Sequence, residues 1–460
     1  MTLIKSISGI RGTIGGREGD NLSPPDIMRF TTAYSTLLKK KYDRPIVVIG
    51  RDGRLSGEAV SMLVASTLSF CGVDVIDCGL STTPSVEMAV TRKKASGGII
   101  CTASHNPKDW NALKFLDHNG EFISGKMGEE LVKMTEEIQF TYATVDRLGR
   151  ISSYEHSIED HISDVLKLDT VDRELLRSMN WKVTVDAINS TGAIAIPMLL
   201  DQLGIECDLI NGDNFGDFAH EAEPLPKNLS ELSKRVASSD SVLGIAVDPD
   251  VDRLVLICED GSPFGEEYTL VAVADYYLKT KGPRPTVSNL SSTLALKDVS
   301  KKYNSPHYFS AVGERHVVDV MKEKNALIGG EGNGGIILPD LHYGRDAVAG
   351  LAVFLTLLAR SGKNATELKS SFPEYHMSKD KIQLAEGFNP DEILAQLESH
   401  YSEEEKDRTD GLKVYFKNAW IHIRKSNTEP ILRIYAEAKT QDQLENLNTG
   451  LKQIIKSFMK

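Results

Sequence analysis

Cysteine and tryptophan are scarce in this chain, with five and three in 460 residues. The five are Cys71, Cys78, Cys101, Cys207 and Cys258; the number is odd and no two form a CxxC. That excludes a disulfide framework as the organising device and predicts a reducing, cytoplasmic setting. No apolar run approaches the ~18 residues a membrane helix needs. The first residues, MTLIKSISGIRG, have no apolar h-region, because Arg11 interrupts them early, so no secretory leader is expected. Low-complexity segments are absent too. Basic residues are in deficit, 53 Lys and Arg against 65 Asp and Glu, for a net charge of -12. This argues against non-specific binding to nucleic acid or to an anionic membrane. It also sets a condition: an anionic ligand would need cations concentrated locally against the global field.

Apolar residues make up 41% and charged residues 26% of the chain, an ordinary globular balance. The first three quarters alternate short apolar runs with helical patterns, which predicts parallel α/β units. Runs at 45–50 (PIVVIG), 74–78 and 97–101 read as strands, with Ile27, Phe30, Tyr34 and Leu37 at helical spacing before them. A second cycle runs through 181–186, 207–210 and 242–247, and a third through 286–288, 308–312 and 326–328. In each, the third run leads into a polar loop: TASHNP at 102–107, DPDVDR at 248–253 and GEGNGG at 330–335. Open α/β sheets bind ligands beyond the carboxyl ends of their strands, so the three loops are expected to wall one cleft. The last part differs. Runs at 411–416, 420–424 and 431–437 read as sequential strands, and a helix follows with Leu444, Leu447, Leu451, Ile454 and Phe458 on one face. The polar stretch 401–410 reads as an exposed loop. The expected organisation is three similar mixed-sheet α/β domains (1–150, 151–257, 258–372) and a C-terminal α+β domain (373–460) around a central cleft.

The loop at 248–253 carries the strongest metal signal. In an extended backbone alternate side chains face the same way, so Asp248, Asp250 and Asp252 would converge while Pro249 and Val251 point elsewhere. Three carboxylates suit a hard cation such as Mg²⁺. A calcium EF-hand is excluded, although Glu259 falls at its twelfth position: Arg253 stands where that loop needs glycine, and LVLIC at 254–258 reads as a strand. In TASHNP, Ser104 by itself could be a turn or helix cap. Opposite a metal loop at the equivalent position of the next cycle, it is suited to carry a phosphoryl group, whose charge of roughly -1.5 to -2 the ion would offset. GEGNGG contains a formal GxGxxG, but IILP follows rather than a helix, which excludes the dinucleotide reading. Glu331 and Asn333, flanked by glycines, suit sugar hydroxyls, since Glu accepts and Asn both donates and accepts. In RKSNTEP at 424–430, an arginine, hydroxyls and loop amides compose an anion nest.

Taken in order, SGIRG at 8–12, TASHNP, the DxDxDR loop, the GE-x-x-G loop and R-x-S-N-T-E-P resemble the α-D-phosphohexomutase family over essentially the whole chain. That family comprises phosphoglucomutases, phosphomannomutases and phosphoglucosamine mutases. GRDGR at 50–54, with Asp52 and Arg54, and Thr83-Pro84 are secondary matches. The resemblance implies that Ser104 is phosphorylated in the active enzyme. It implies that Asp248, Asp250 and Asp252 bind Mg²⁺ with that phosphate, and that Arg253 and His105 contact it. Lys114 matches the family lysine proposed as acid/base, and Arg11 belongs to the same corner. Arg424, Ser426, Asn427 and Thr428 would hold the phosphate that is not transferring, and a sugar 1,6-bisphosphate would serve as activator.

Two departures stand out. Pro249 replaces the usual glycine between the first two aspartates. In the sugar loop, many hexose members have GE-x-S-G-H; here Asn333 replaces the serine and Gly335 the histidine. GEGNGG resembles the archaeal-type phosphoglucosamine mutases, and the missing imidazole is expected to leave a roomier, more anionic corner for an amino sugar. The expected reaction interconverts hexose 6-phosphate and hexose 1-phosphate, glucosamine phosphate first, through phosphoserine and a sugar bisphosphate. A Mg²⁺-dependent sugar phosphatase would need no second phosphate clamp, and a non-catalytic sensor would not need the serine and all three aspartates.

Overall fold

A computed structural model describes residues 2–6, 9–137, 139–384, 388–425 and 431–459. The chain forms two compact units, Met1–Thr269 with Asn333–Lys369, and Leu270–Gly332 with Ser370–Lys460.

In the first unit, the helix Pro24–Lys39 starts where prolines occupy its first positions and Ser23, through its N–H and hydroxyl, donates to Asp26 Oδ2. Its apolar face, Ile27, Phe30, Tyr34 and Leu37, is buried as its spacing predicts. The seven-stranded sheet it covers runs Ile4–Ser6, Gly9–Thr13, Trp110–Leu116, Gly97–Cys101, Ile46–Arg51, Asp74–Leu80, Ile151–Ser153. The central strands Gly97–Cys101, Ile46–Arg51 and Asp74–Leu80 are parallel, and Trp110–Leu116 pairs antiparallel on both sides. A second sheet runs Leu254–Cys258, Leu243–Val247, Lys182–Asp186, Glu206–Ile210, the first of these antiparallel to its neighbour.

The second unit has parallel strands Ile328–Glu331, Thr286–Asn289 and His307–Ser310, in that order. All three cycles thus share one arrangement, with the third strand beside the first and the first beside the second. The C-terminal sheet runs His376–Gln383, Ile431–Ala438, Ala419–Lys425, Leu412–Phe416, Glu405–Asp407, all antiparallel, under the helix Gln441–Phe458. Leu444 and Leu451 of that helix are buried, and Leu447, Ile454 and Phe458 pack against the same core.

The stretch 401–410 is a correction: it is not all loop, since Glu405–Asp407 pairs with Leu412–Phe416. Backbone pairing at a solvated sheet edge needs no apolar side chain, and charged residues blunt such an edge. The polar edge strand His376–Gln383 has no sequence signal for the same reason. Among the described residues no helix is long and apolar enough to cross a membrane.

Candidate active site

The serine loop is built where the fully buried strand Gly97–Cys101 ends. Thr102 Oγ1 donates to Asp52 Oδ2 at 2.7 Å and accepts from Ser104 N–H at 2.9 Å, which turns the chain immediately. Ser104 has φ +48°, a conformation that costs a non-glycine residue about 1–3 kcal/mol and persists only when its surroundings impose it. Arg54 imposes it. Its guanidinium is buried, ion-paired to Asp52 at 3.0 Å, and donates to the main-chain carbonyls of Ser104, Asn106, Pro107 and Trp110. The planar five-donor fork of arginine allows one side chain to hold so many carbonyls.

The aspartate loop follows the buried strand Leu243–Val247. The expectation of an extended backbone is wrong here. Along a strand, carboxylates two residues apart would stand about 6–7 Å apart. Instead Asp248 Oδ1 accepts the N–H groups of Asp252 and Arg253, both at 3.2 Å, and Val251 N–H donates to Asp248 O at 3.0 Å. Val251, a buried β-branched residue, has φ +61°. The resulting turn brings one oxygen from each of Asp248, Asp250 and Asp252 within 4.8 Å of one another. Pro249 contributes its carbonyl, which accepts from Ser190 Oγ at 2.6 Å and Thr191 Oγ1 at 2.8 Å.

The two loops meet. Ser104 Oγ donates to Asp248 Oδ2 at 2.7 Å. Asp250 Oδ2 accepts from Lys114 Nζ at 2.8 Å and Thr83 Oγ1 at 2.7 Å, and Asp252 Oδ2 accepts from Arg345 Nη2 at 2.7 Å. All three aspartates are 0% exposed. Burial, then Asp252 and Asp250, push Asp248 well above the usual carboxylate range. Burial pushes Asp250 up as well, but Lys114 and Thr83 overcome it and hold this carboxyl well below that range. Lys114 is raised: burial works against its charge, and Asp250 and Asp252 outweigh it. Arg253, then burial, then Arg11 and Arg345 depress His105, so its ring is neutral and Nδ1 accepts from Arg253 Nη2 at 2.8 Å.

Two buried oxygens, Asp250 Oδ1 and Asp252 Oδ1, have no hydrogen-bond partner among the described residues. Orphaned carboxylate oxygens beside a serine hydroxyl are the hard donors Mg²⁺ takes, so the residues present fit that ion. Arg11 lies on Gly9–Thr13 opposite Ala112, two residues before Lys114 on the neighbouring strand and therefore on the same face.

Sequence models of the four domains of the phosphoglucomutase/phosphomannomutase family match this chain: alpha/beta/alpha domain I over 3–142, domain II over 159–261, domain III over 265–375 and the C-terminal domain over 381–452. A "Phosphoglucomutase/phosphomannomutase" of Thermococcus kodakarensis is 33% identical over 96% of this chain and 97% of its own. The chain belongs to the phosphoglucomutase/phosphomannomutase family. It is a phosphohexomutase by that membership. A "Phosphoglucosamine/phosphogalactosamine mutase" of Sulfurisphaera tokodaii is 31% identical over 97% of this chain and 98% of its own. Among solved structures, a phosphoglucomutase/phosphomannomutase family protein of Burkholderia thailandensis shares the fold, with a TM-score of 0.86 at 24% identity over 99% of this chain and 97% of that one.

Of the residues the family motifs predict, the first unit brings together Ser104, His105, Lys114, Asp248, Asp250, Asp252 and Arg253. Asn333 is in this unit too, and its Oδ1 accepts Gly335 N–H at 3.2 Å. Glu331 and Arg424 belong to the second unit. There Glu331 Oε1 accepts from Asn289 Nδ2 at 2.8 Å and Gly313 N–H at 2.9 Å, and Arg424 Nε pairs with Asp410 Oδ2 at 2.7 Å. Ser426, Asn427 and Thr428 lie outside the described residues. Sequence reasoning missed Arg345. The available signal was the bare Gly335, with an arginine following shortly before the apolar helix Ala347–Ser361. The roomy, anionic corner expected at Gly335 is also a correction, because Arg345 fills it.

Proposed function

We infer that this chain interconverts hexose 6-phosphate and hexose 1-phosphate through phosphoserine at Ser104, with glucosamine phosphate as the preferred sugar. The observation that carries it is the 2.7 Å contact of Ser104 Oγ with Asp248 in a cluster of three buried carboxylates. Asp248, Asp250, Asp252 and Ser104 would hold Mg²⁺, which when bound neutralises charge on the transferring phosphoryl group. The P–O bond to Ser104 breaks as a new P–O bond forms to O1 or O6 of the sugar monophosphate. The sugar hydroxyl loses its proton and Ser104 Oγ ends with one. Lys114, held protonated by Asp250, is proposed as the acid/base: it gives a proton to Ser104 Oγ and takes up the one the sugar hydroxyl loses. Arg253 and the neutral His105 it orients contact the phosphate on Ser104. The bisphosphate then returns its other phosphoryl group to Ser104, and added sugar 1,6-bisphosphate would prime the cycle.

In the second unit, Glu331, held by Asn289 and Gly313, is proposed to accept from sugar hydroxyls, and Arg424 to hold the non-transferring phosphate. The amino-sugar preference rests on the names of relatives such as the Sulfurisphaera tokodaii mutase. The Thermococcus kodakarensis name supports glucose or mannose phosphate as the second reading. The test is kcat/KM for glucosamine, glucose and mannose phosphates under identical activation, with free phosphate measured in parallel. A tenfold advantage for glucose or mannose, about 1.4 kcal/mol, overturns the sugar assignment. Stoichiometric phosphate release overturns the mutase.

A further inference from the structure

Arg345 reaches the aspartate loop through a gap that Gly335 leaves open. The two segments face each other: Ile337 and Arg345 form an antiparallel bridge, and Asp346 N–H donates to Ile336 O at 2.8 Å. Gly335, two residues before Ile337, is on the same face of its strand, and the arginine side chain lies over it. A Cβ on Gly335 would stand 2.3 Å from Arg345 Cδ and 3.0 Å from Cγ. Any side chain at 335 must therefore displace the arginine. Past the gap, Nη2 donates to Asp252 Oδ2 at 2.7 Å, with the arginine side chain 9% exposed. The backbone at this point is firmly placed. Asp346 Oδ1 caps the helix Ala347–Ser361 through Ala349 N–H at 3.0 Å, and Ala347 N–H donates to Val251 O at 3.2 Å, tying the helix start to the strained residue of the aspartate loop.

We propose that Arg345 is a positioning residue of the phosphoryl-transfer centre, orienting Asp252 and supplying a permanent cation beside it, and that Gly335 is needed because it admits Arg345. This rests on the reading of the cluster as the transfer centre. An arginine does not deprotonate in the working range, so this chain has a fixed charge, contributed by a neighbouring segment, next to the position where many hexose members carry a titratable histidine.

The test compares wild type, Arg345→Gln, Gly335→Ala and the double variant in two assays. One is Mn²⁺ affinity, read from the spectroscopic signal of the free ion. The other is turnover of glucosamine 1-phosphate and glucose 1-phosphate. Arg345→Gln should lower kcat on the order of a hundredfold, the effect of removing one preorganised charge donor, with KM little changed. Mn²⁺ should bind several-fold more tightly, because a neighbouring cation is gone. Gly335→Ala should reproduce both changes by pushing the guanidinium aside. The double variant should be no worse than either single one, since both remove the same contact. Arg345→Lys, which keeps the charge and loses the fork, should fall between. A merely structural role would weaken Mn²⁺ binding and turnover together, and that result overturns the proposal. So do additive losses in the double variant, or a Gly335→Ala protein indistinguishable from wild type. If wild type turns over neither phosphosugar, the reading of the reaction fails, while the Mn²⁺ measurements still decide the role of Arg345.

Discussion

Two buried clusters of ionisable groups lie on either side of the Arg345–Asp346 pair, and both have the ligand types of a metal site. One is Asp248, Asp250 and Asp252; the other is His161, His342 and Asp346, with Glu87 behind them. The second supplies its own counter-charges. Asp346 Oδ2 accepts from His161 Nε2 at 2.8 Å and His342 Nε2 at 3.1 Å. His161 Nδ1 is hydrogen-bonded to Ser85 Oγ at 2.9 Å, and His342 Nδ1 lies 3.3 Å from Glu87 Oε2 as an ion pair without a hydrogen bond. The first cluster is three carboxylates with Lys114, Arg253 and Arg345 beside them, two oxygens without a hydrogen bond among the described residues, and a non-glycine residue at positive φ in each of its two loops. Ligand-type residues alone do not distinguish the two. Imposed backbone strain does: a non-glycine residue is held at positive φ in each loop of the first cluster and in none of the residues of the second.

Asp250→Asn should have the largest effect, a loss in kcat/KM of about a thousandfold, or about 4 kcal/mol. The variant should also lose the phosphate-sized mass addition expected on Ser104 of the wild type; normal turnover and metal affinity would refute the assignment.

His342→Gln probes the closed cluster. Leaving buried carboxylates short of a counter-charge costs about 3 kcal/mol of stability. Burial opposes the His342 charge, but Asp346 and Glu87 raise its pKa to about 10. A group raised on folding stabilises fully below its unfolded value of about 6.5, and that contribution disappears as pH climbs through the folded value. The stability gap between wild type and His342→Gln should therefore be widest below about pH 6.5 and close toward pH 10; a gap that widened with pH would contradict the charged network.

The smallest effect is linkage to metal. Mg²⁺ at a hundred times its dissociation constant should stabilise wild type and His342→Gln alike by about 2.7 kcal/mol in a melting experiment, and Asp250→Asn much less. If His342→Gln lost this response, the second cluster would be the metal site.

Much of the fold was legible because its signals are local. Apolar runs of three to six residues, the third of each cycle ending in a polar loop, predicted the central strands and the loops that follow them. The polar edge strands His376–Gln383 and Glu405–Asp407 escaped, because an edge pairs through its backbone and leaves no periodicity in its side chains. At the site, Ser104 and the three aspartates could be named from short motifs. Their geometry could not, since the alternation rule that brought the aspartates together assumed a strand where the chain makes a turn.

Local sequence was enough for the family, the alternation of strands and helices, and the choice of Ser104 and the three aspartates as candidate site residues. Each is written within a handful of neighbouring residues, where spacing and residue type carry the physics. Only the tertiary structure decided what those residues face. Ser104 and Asp248 are 144 positions apart, and Asp252 and Arg345 are 93 apart. Contacts at such separations depend on how sheets stack and on whether a glycine leaves room for an arginine to pass, and no local pattern encodes that.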